Sequence, residues 1–146
     1  MPRVTVYIPS YNLAPFLGAA IESVQAQSFT DWELIITDDA STDDSVGVAT
    51  KYESERVRCF AFEENRGASA AANFSIAQGT GEYIAPLSAD DVFRPEKLAQ
   101  QVAFLDAHPE CGAVFGLPDF MDAAGVEITG DHAFSAIFTD ENRTRE

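Results

Sequence analysis

Positive charge is scarce in this chain. Lys and Arg together number 9 against 24 Asp and Glu, so the formal net charge is −15 over 146 residues. Nucleic acids and anionic membranes attract proteins through basic surfaces, and the composition therefore argues against both as partners. A ligand that carries phosphate would also approach against the overall field. Local groups would have to attract it: a metal ion, helix N-termini or the few arginines.

Cysteine and long apolar segments are equally scarce. Only Cys59 and Cys111 occur, without the spacing of a metal site, and we expect reduced thiols in a cytoplasmic setting. No apolar run approaches the ~20 residues that a membrane-spanning helix needs. The opening residues Met1-Pro2-Arg3-Val4 do not begin the apolar region of a signal peptide.

Glycine-rich phosphate-binding loops are missing from the sequence. A dinucleotide-binding fingerprint needs Gly-x-Gly-x-x-Gly directly after the first strand, and residues 9–18 do not contain it. No Gly-Lys-Ser/Thr phosphate loop occurs either. A sugar nucleotidyltransferase would need a Gly-rich basic loop after the first strand, which argues against that class of enzyme.

Apolar runs and helical segments alternate along the chain, whose apolar content of 46% fits a globular domain. Strands are predicted at residues 4–8, 32–37, 57–62, 83–87 and 111–117. Helices are predicted at residues 15–24, 46–53, 68–77 and 95–108, the second with a capping box formed by Ser41 and Asp44. A short hairpin is expected at 121–128 and a frayed polar tail at 139–146. The alternation predicts an α/β domain with a largely parallel sheet.

Polar residues follow three of the predicted strands: Ser10-Tyr11-Asn12, Asp38-Asp39 and Asp90-Asp91. Because the carboxyl ends of parallel strands meet at one edge of a sheet, these residues are expected to face one crevice. Each acidic pair by itself is more often a helix cap or a solvated loop. The three together favour a ligand that uses them all.

A nucleoside diphosphate is the simplest such ligand. A carboxylate can accept a hydrogen bond from a base N–H or a ribose hydroxyl, and Tyr11 can lie against a flat base. Asp90 and Asp91 repel one another, which calls for a cation. Carboxylate oxygens suit Mg²⁺ or Mn²⁺ shared with ligand phosphates, and such an ion would draw charge from a departing diphosphate.

Several of these segments resemble the opening of family 2 glycosyltransferases, over roughly residues 3 to 117. The likeness rests on residues 4–12, 23–29 and 33–43, on Asn65-Arg66-Gly67, and on the run from Gly81 through Asp90-Asp91 to Leu98. The resemblance implies a GT-A fold, a Rossmann-like three-layer α/β/α sandwich with a mostly parallel sheet, here truncated. It also implies a nucleotide-sugar donor, a divalent metal, inversion at the anomeric carbon, and a role in cell-wall or polysaccharide biosynthesis.

The resemblance assigns residues at the base end of the donor. Pro9 and Tyr11 would line the base pocket. Asp39 would accept from the base, typically uracil, so a UDP-sugar is the expected donor. Asp38 would support the same loop.

It also assigns residues at the diphosphate end. Arg66 would reach a phosphate, although a solvated arginine in a turn is an equally good interpretation. Asp90 would lie near the ribose or the donor sugar, and Asp91 near the diphosphate and Mn²⁺ or Mg²⁺. Ser88 stands where the family usually has the first acid of Asp-x-Asp-Asp, which leaves Asp91 as the main metal ligand.

The general base for an acceptor hydroxyl stays unknown, because in the family it comes from later in the chain. The late candidates, none in a family motif, are Asp131, His132, Asp140 and Glu141. We therefore expect residues 1–118 to be a nucleotide-sugar-binding α/β domain and residues 119–146 to begin an acceptor-side region or form a frayed tail. The acceptor would be a saccharide, a lipid-linked molecule or a protein.

Two functions remain open from the sequence. The first is the inverting glycosyltransferase, cytoplasmic or peripheral at the inner face of the membrane. The second is a catalytically incomplete nucleotide-sugar-binding module that acts through self-association or a partner chain. An exposed sheet edge in a truncated domain would favour a homo-oligomer.

Overall fold

A computed structural model of the protein describes residues 1–128. Its four strands are β1 (Val4–Ser10), β2 (Trp32–Asp38), β3 (Val57–Ala61) and β4 (Tyr83–Pro86). Its helices are α1 (Ala14–Gln25), α2 (Ser45–Thr50), α3 (Ala68–Gln78) and α4 (Lys97–Ala107). None of the helices within residues 1–128 has the length and apolar character needed to cross a membrane.

The strands form one parallel sheet in the order β3-β2-β1-β4. Val4 pairs with Trp32 on one side and with Tyr83 on the other. This arrangement confirms the predicted α/β fold. Each parallel connection passes through a helix, because a chain must return to the starting edge before it can begin another parallel strand.

Helices cover both faces of the sheet, and this is why every residue of β2 is buried. Leu34 and Ile36 pack in one core cluster with Leu17 and Ile21 of α1. On the other face the hydroxyl groups of Thr37 and Ser75 of α3 lie 2.7 Å apart in a hydrogen bond. Strands buried on both faces read as continuous apolar runs, which explains why β1 and β2 were predictable from the sequence.

Two local predictions were wrong. Residues 111–117 form no strand, and Phe115 is 91% exposed, so the apolar side chains of this segment do not pack as those of a strand would. The capping box of Ser41 and Asp44 does not form either: Asp44 is the N-cap of α2 but makes no side-chain cap hydrogen bond. The Ser41 hydroxyl donates to Asp38 Oδ2 instead.

The chain divides into two compact units, residues 1–109 and 110–146. In the second unit the expected hairpin is confirmed as an antiparallel bridge between Met121 and Glu127 around Gly125, whose φ is +80°. The tail at 139–146 lies outside the described residues. The division into a donor-binding part (1–118) and an acceptor-side part (119–146) stays a prediction.

Candidate functional site

The carboxyl ends of β2 and β4 are both attached to β1. Asp39 N donates to Ser10 O at 2.8 Å, and Leu87 N donates to Tyr7 O at 3.0 Å. From β1 the chain crosses first to β2 and β3 on one side and later to β4 on the other. Such a reversal leaves a crevice at the carboxyl ends of the strands, where open α/β sheets bind ligands.

The loops after β1 and β2 are joined by polar contacts through Asn12. Its Oδ1 accepts from Thr42 N at 2.7 Å, and its backbone N–H donates to Ser41 Oγ at 2.8 Å. Asn12 and Ala40 have positive φ values of 54° and 61°. Asn tolerates this region better than most residues, and the cross-loop contacts hold the conformation. The two loops therefore form one fixed surface.

Two carboxylates at this edge of the sheet accept hydrogen bonds from other groups of the protein. Asp38, only 2% exposed, accepts from the amide of Ser41 at 2.8 Å and from its hydroxyl at 2.6 Å. Asp43 accepts from Ser45 and from the Ala14 amide at the start of α1. These bonds, first that from the Ser45 hydroxyl, hold the pKa of Asp43 below its usual value. Our sequence analysis missed Asp43, since its partner Ala14 is 29 residues away in the sequence, at the start of α1.

Asp39 anchors the turn between β3 and α3. Its carboxylate accepts from Arg66 N at 2.7 Å and Gly67 N at 2.8 Å, and Asn65 Nδ2 donates to its backbone carbonyl at 3.2 Å. Asp39 is 2% exposed. Gly67 has φ +89° and ψ 152°, a conformation essentially restricted to glycine, and α3 begins at the next residue. Asp39 thus fixes the entry of the chain into α3.

The other residues predicted for the base end differ in exposure. Pro9 is half-buried within β1, paired with Thr37, whereas Tyr11 is 46% exposed on the loop that Asn12 fixes. Ser10 Oγ is buried and, within residues 1–128, has no hydrogen-bond partner. A buried hydroxyl without a partner is uncommon, so this strand end holds an unmatched polar atom.

Arg66 is exposed beside an aromatic depression of about 710 Å³. Its guanidinium carbon lies 4.9 Å from the ring centroid of Phe62. Phe74 of α3 meets Phe60 and Phe62 edge to face, with ring centroids 5.2 and 5.4 Å away. The arginine side chain therefore lies over the aromatic depression, while its backbone bonds to Asp39.

Asp90 and Asp91 lie together in the loop after β4, both exposed. Ser88 Oγ donates to Asp90 Oδ1 at 2.7 Å, and Asp91 N donates to Ser88 O at 3.1 Å. Partial desolvation, and then the charge of Asp90, raise the pKa of Asp91 above its usual value. A cation bound beside Asp91 would offset this rise in pKa, because a nearby opposite charge favours the ionised carboxylate.

The carboxylates of Asp90 and Asp91 suit a cation that a bound ligand also coordinates. Within residues 1–128 no group of three or more His, Cys, Asp or Glu side chains is placed to hold a metal. Mg²⁺ is commonly bound through one or two carboxylates, with water and substrate phosphates completing its shell. The acid pair fits that kind of site and does not fit a closed protein cage.

The model of the family described as "Glycosyl transferase family 2" matches residues 5–144. The chain belongs to glycosyl transferase family 2. Among family relatives, TuaG of Bacillus subtilis (strain 168), named for teichuronic acid biosynthesis, is 39% identical over 106 residues. That match covers 71% of this chain and 42% of TuaG.

Solved structures agree with this family 2 assignment. S. aureus TarS 1-349, in complex with UDP-GlcNAc, matches 75% of this chain with a TM-score of 0.70 and 27% identity. The mannosyltransferase PcManGT from Pyrobaculum calidifontis, in complex with GDP-Man and Mn²⁺, matches 71% with a TM-score of 0.65 and 29% identity. This chain spans 32% of each of those two chains, so it spans less than half the length of these relatives. The expected GT-A fold is confirmed.

Proposed function

We propose that this family 2 chain binds a nucleoside-diphosphate sugar, specifically a UDP-sugar, as the donor-binding part of a metal-dependent, inverting glycosyltransferase. The observation that carries the proposal is the placement of the acid pair Asp90-Asp91 after β4, beside the central strand β1. The joined loops after β1 and β2 lie on the other side of the same strand. A ligand with a base at one end and a diphosphate at the other spans such an edge.

The base end of the donor is assigned to the loops after β1 and β2. Tyr11, exposed on a fixed loop, offers a flat face for a base, and Pro9 lines the same strand end. Asp39 accepts from a base N–H through lone pairs that the amides of Arg66 and Gly67 do not use, because each carboxylate oxygen can accept more than one hydrogen bond. Asp38 supports the loop through Ser41.

The diphosphate end is assigned to the acid pair and to Arg66. Asp91 would hold Mn²⁺ or Mg²⁺, and Asp90 would lie toward the ribose or the donor sugar. When bound, the metal neutralises charge that develops on the departing nucleoside diphosphate. Arg66 supplies positive charge to a phosphate. The PcManGT complex with GDP-Man and Mn²⁺ supports a metal at such a site.

Transfer proceeds by attack of an acceptor hydroxyl on the anomeric carbon, on the face opposite the departing diphosphate, so the anomeric configuration inverts. A general base removes the hydroxyl proton during attack. The acceptor is a saccharide or a lipid-linked saccharide, and the process is the assembly of a polysaccharide, a proposal supported by the name of TuaG.

One specific observation favours a second candidate, a nucleotide-sugar-binding module that transfers no sugar alone. Within residues 1–128, Asp38, Asp39 and Asp43 at the end of β2 are bound by internal donors, and Asp90 and Asp91 after β4 are the acid pair. None of these five carboxylates is left over as a general base. The late candidates Asp131, His132, Asp140 and Glu141 lie outside the described residues.

Calorimetry of UDP binding with and without Mn²⁺ tests the donor site. We expect Mn²⁺ to strengthen UDP binding, and Asp91→Ala to remove that increase. Glu55→Ala is the matched control, because Glu55 is exposed, precedes β3 at the opposite edge of the sheet, and changes the net charge equally. If the wild type bound UDP with the same affinity in the presence and absence of Mn²⁺, the assignment of Asp91 to a metal would be rejected. UDP-, GDP- and dTDP-sugars titrated in parallel identify the nucleotide.

An assay of sugar transfer separates the two candidate functions. We expect little transfer by this chain alone from any donor that it binds. Robust turnover by the purified chain would reject the binding-module candidate and would locate the general base within its 146 residues.

A further inference from the structure

Gln27, just after α1, has a buried side chain whose polar atoms are all bonded to backbone. Its Nε2 donates to Arg94 O at 2.8 Å and to Ser23 O at 3.1 Å. Its Oε1 accepts from Leu98 N at 3.0 Å. The residue is 5% exposed. The amide therefore joins the end of α1 to the loop after β4 and to the first turn of α4.

Two serines strengthen this attachment. Ser23 Oγ accepts from Phe93 N at 3.0 Å, and Ser28 N donates to Pro95 O at 2.9 Å. Together with Gln27 they bind the backbone of three successive residues, 93–95. Phe93 itself is 9% exposed and belongs to the core cluster. We call Ser23, Gln27 and Ser28 the α1 clamp.

The α1 clamp holds the loop immediately downstream of the acid pair. Asp91 is two residues from Phe93, a chain distance of at most ~7 Å. Upstream, the same loop is fixed where Leu87 N bonds to β1. Between these two attachments lie adjacent carboxylates whose mutual repulsion favours spreading apart. The loop keeps them together because both of its ends are fixed.

We propose that Gln27 is a positioning residue for the metal end of the donor site. It touches neither donor nor metal, and it acts by holding residues 93–95 so that Asp91 presents its carboxylate to the cation while Asp90 stays beside it. The assignment rests on the proposed function. When a residue that orients a metal ligand without contacting the metal is substituted, the metal affinity typically changes by 10- to 100-fold.

The test uses the 146-residue chain and the variant Gln27→Met, which keeps the length of the side chain and removes its hydrogen bonds. Binding of Mn²⁺ in the presence of UDP is followed by the loss of the free Mn²⁺ signal in electron paramagnetic resonance. Binding of UDP without metal is measured by calorimetry. We expect at least tenfold weaker Mn²⁺ binding and less than a twofold change in metal-free UDP binding.

Ser75→Ala is the control for lost stability, because Ser75 is fully buried and bonds to Thr37 on the opposite face of the sheet. If Gln27 acted only through protein stability, Gln27→Met and Ser75→Ala proteins of equal stability would bind Mn²⁺ equally well and would also bind UDP equally well. Hydrogen exchange should accelerate at residues 88–95 in Gln27→Met and not in Ser75→Ala. If Gln27→Met does not fold, Ser23→Ala removes the Phe93 contact together with the bond from Ser23 Oγ to Ala20 O within α1, and it should show the same split between the two affinities.

The outcomes separate the two proposals. The positioning role alone would be overturned if the wild type binds Mn²⁺ in the presence of UDP and if Gln27→Met or Ser23→Ala binds Mn²⁺ with the same affinity. No Mn²⁺-dependent binding by the wild type would overturn the proposed function, and the positioning role with it.

Discussion

Replacing Asp39 by Asn should destabilise the protein far more than the loss of one negative charge explains. In the wild type the two carboxylate oxygens each accept one amide N–H, from Arg66 and Gly67. An Asn side chain has one oxygen, so its NH₂ group would face the second amide donor to donor. Both amides lie at the entry to α3, where the helix dipole also favours a negative charge.

The magnitude follows from those contacts. A buried donor left without its charged acceptor costs about 1–3 kcal/mol, and the lost charge at the start of a helix adds up to about 1 kcal/mol. We therefore expect Asp39→Asn to lower the free energy of unfolding by about 1–4 kcal/mol. Domains of this kind are stable by only about 5–15 kcal/mol, so the effect is large.

Urea unfolding provides the assay, with the single tryptophan, Trp32 on β2, as the fluorescent reporter. At a urea dependence of about 1.5 kcal/mol/M, the midpoint should fall by about 1–3 M. The control Glu55→Gln removes the same charge from an exposed site and should stay within about 0.5 kcal/mol of the wild type. Equal midpoints for the two variants would refute the anchoring role of Asp39.

Three further predictions concern stability and reactivity. Gly67→Ala should cost about 1–3 kcal/mol in the same assay, because φ is +89° there, and an unchanged midpoint would contradict this. Burial alone would raise the pKa of Glu33, but hydrogen bonds, first from the Thr80 amide, outweigh it and hold that pKa below its usual value. The wild type should therefore exceed Glu33→Gln in melting temperature above pH 4.5, and this advantage should shrink as the pH falls further; a difference independent of pH would argue against it. Burial raises the pKa of Cys59 to about 12, so iodoacetamide at pH 8 should leave Cys59 unlabelled in the folded chain, as mass spectrometry would show.

Secondary structure was largely predictable because its cause is local. Strands buried on both faces demand consecutive apolar residues, and β2 satisfies this with every residue buried. The clearest failure, the strand expected at 111–117, shows the limit of such patterns. Apolar residues favour a strand only where a neighbouring strand supplies hydrogen bonds and a packed face, and Phe115 is 91% exposed.

Sequence patterns reach the same limit at the candidate site, where they do not show which carboxylates are buried. In the sequence Asp38, Asp39, Asp90 and Asp91 are two similar acidic pairs after two strands. In the structure the first pair is buried and bonded to backbone amides, whereas the second pair is exposed in a loop. Its neighbours in the sequence do not mark Asp39 as an internally bonded acid, because its partners lie 27 and 28 residues further along the chain.

The sequence by itself determined the alternation of strands and helices, the polar residues at the strand ends and the family motifs, since each depends on the period and chemistry of neighbouring residues. Only the tertiary structure decided which carboxylates are exposed and which are buried and bonded within the protein. It alone revealed Gln27 as the link between α1 and the loop after Asp91, with Leu98 as a partner 71 residues away. The physical reason is that a hydrogen bond depends on proximity in space, which separation along the chain does not specify.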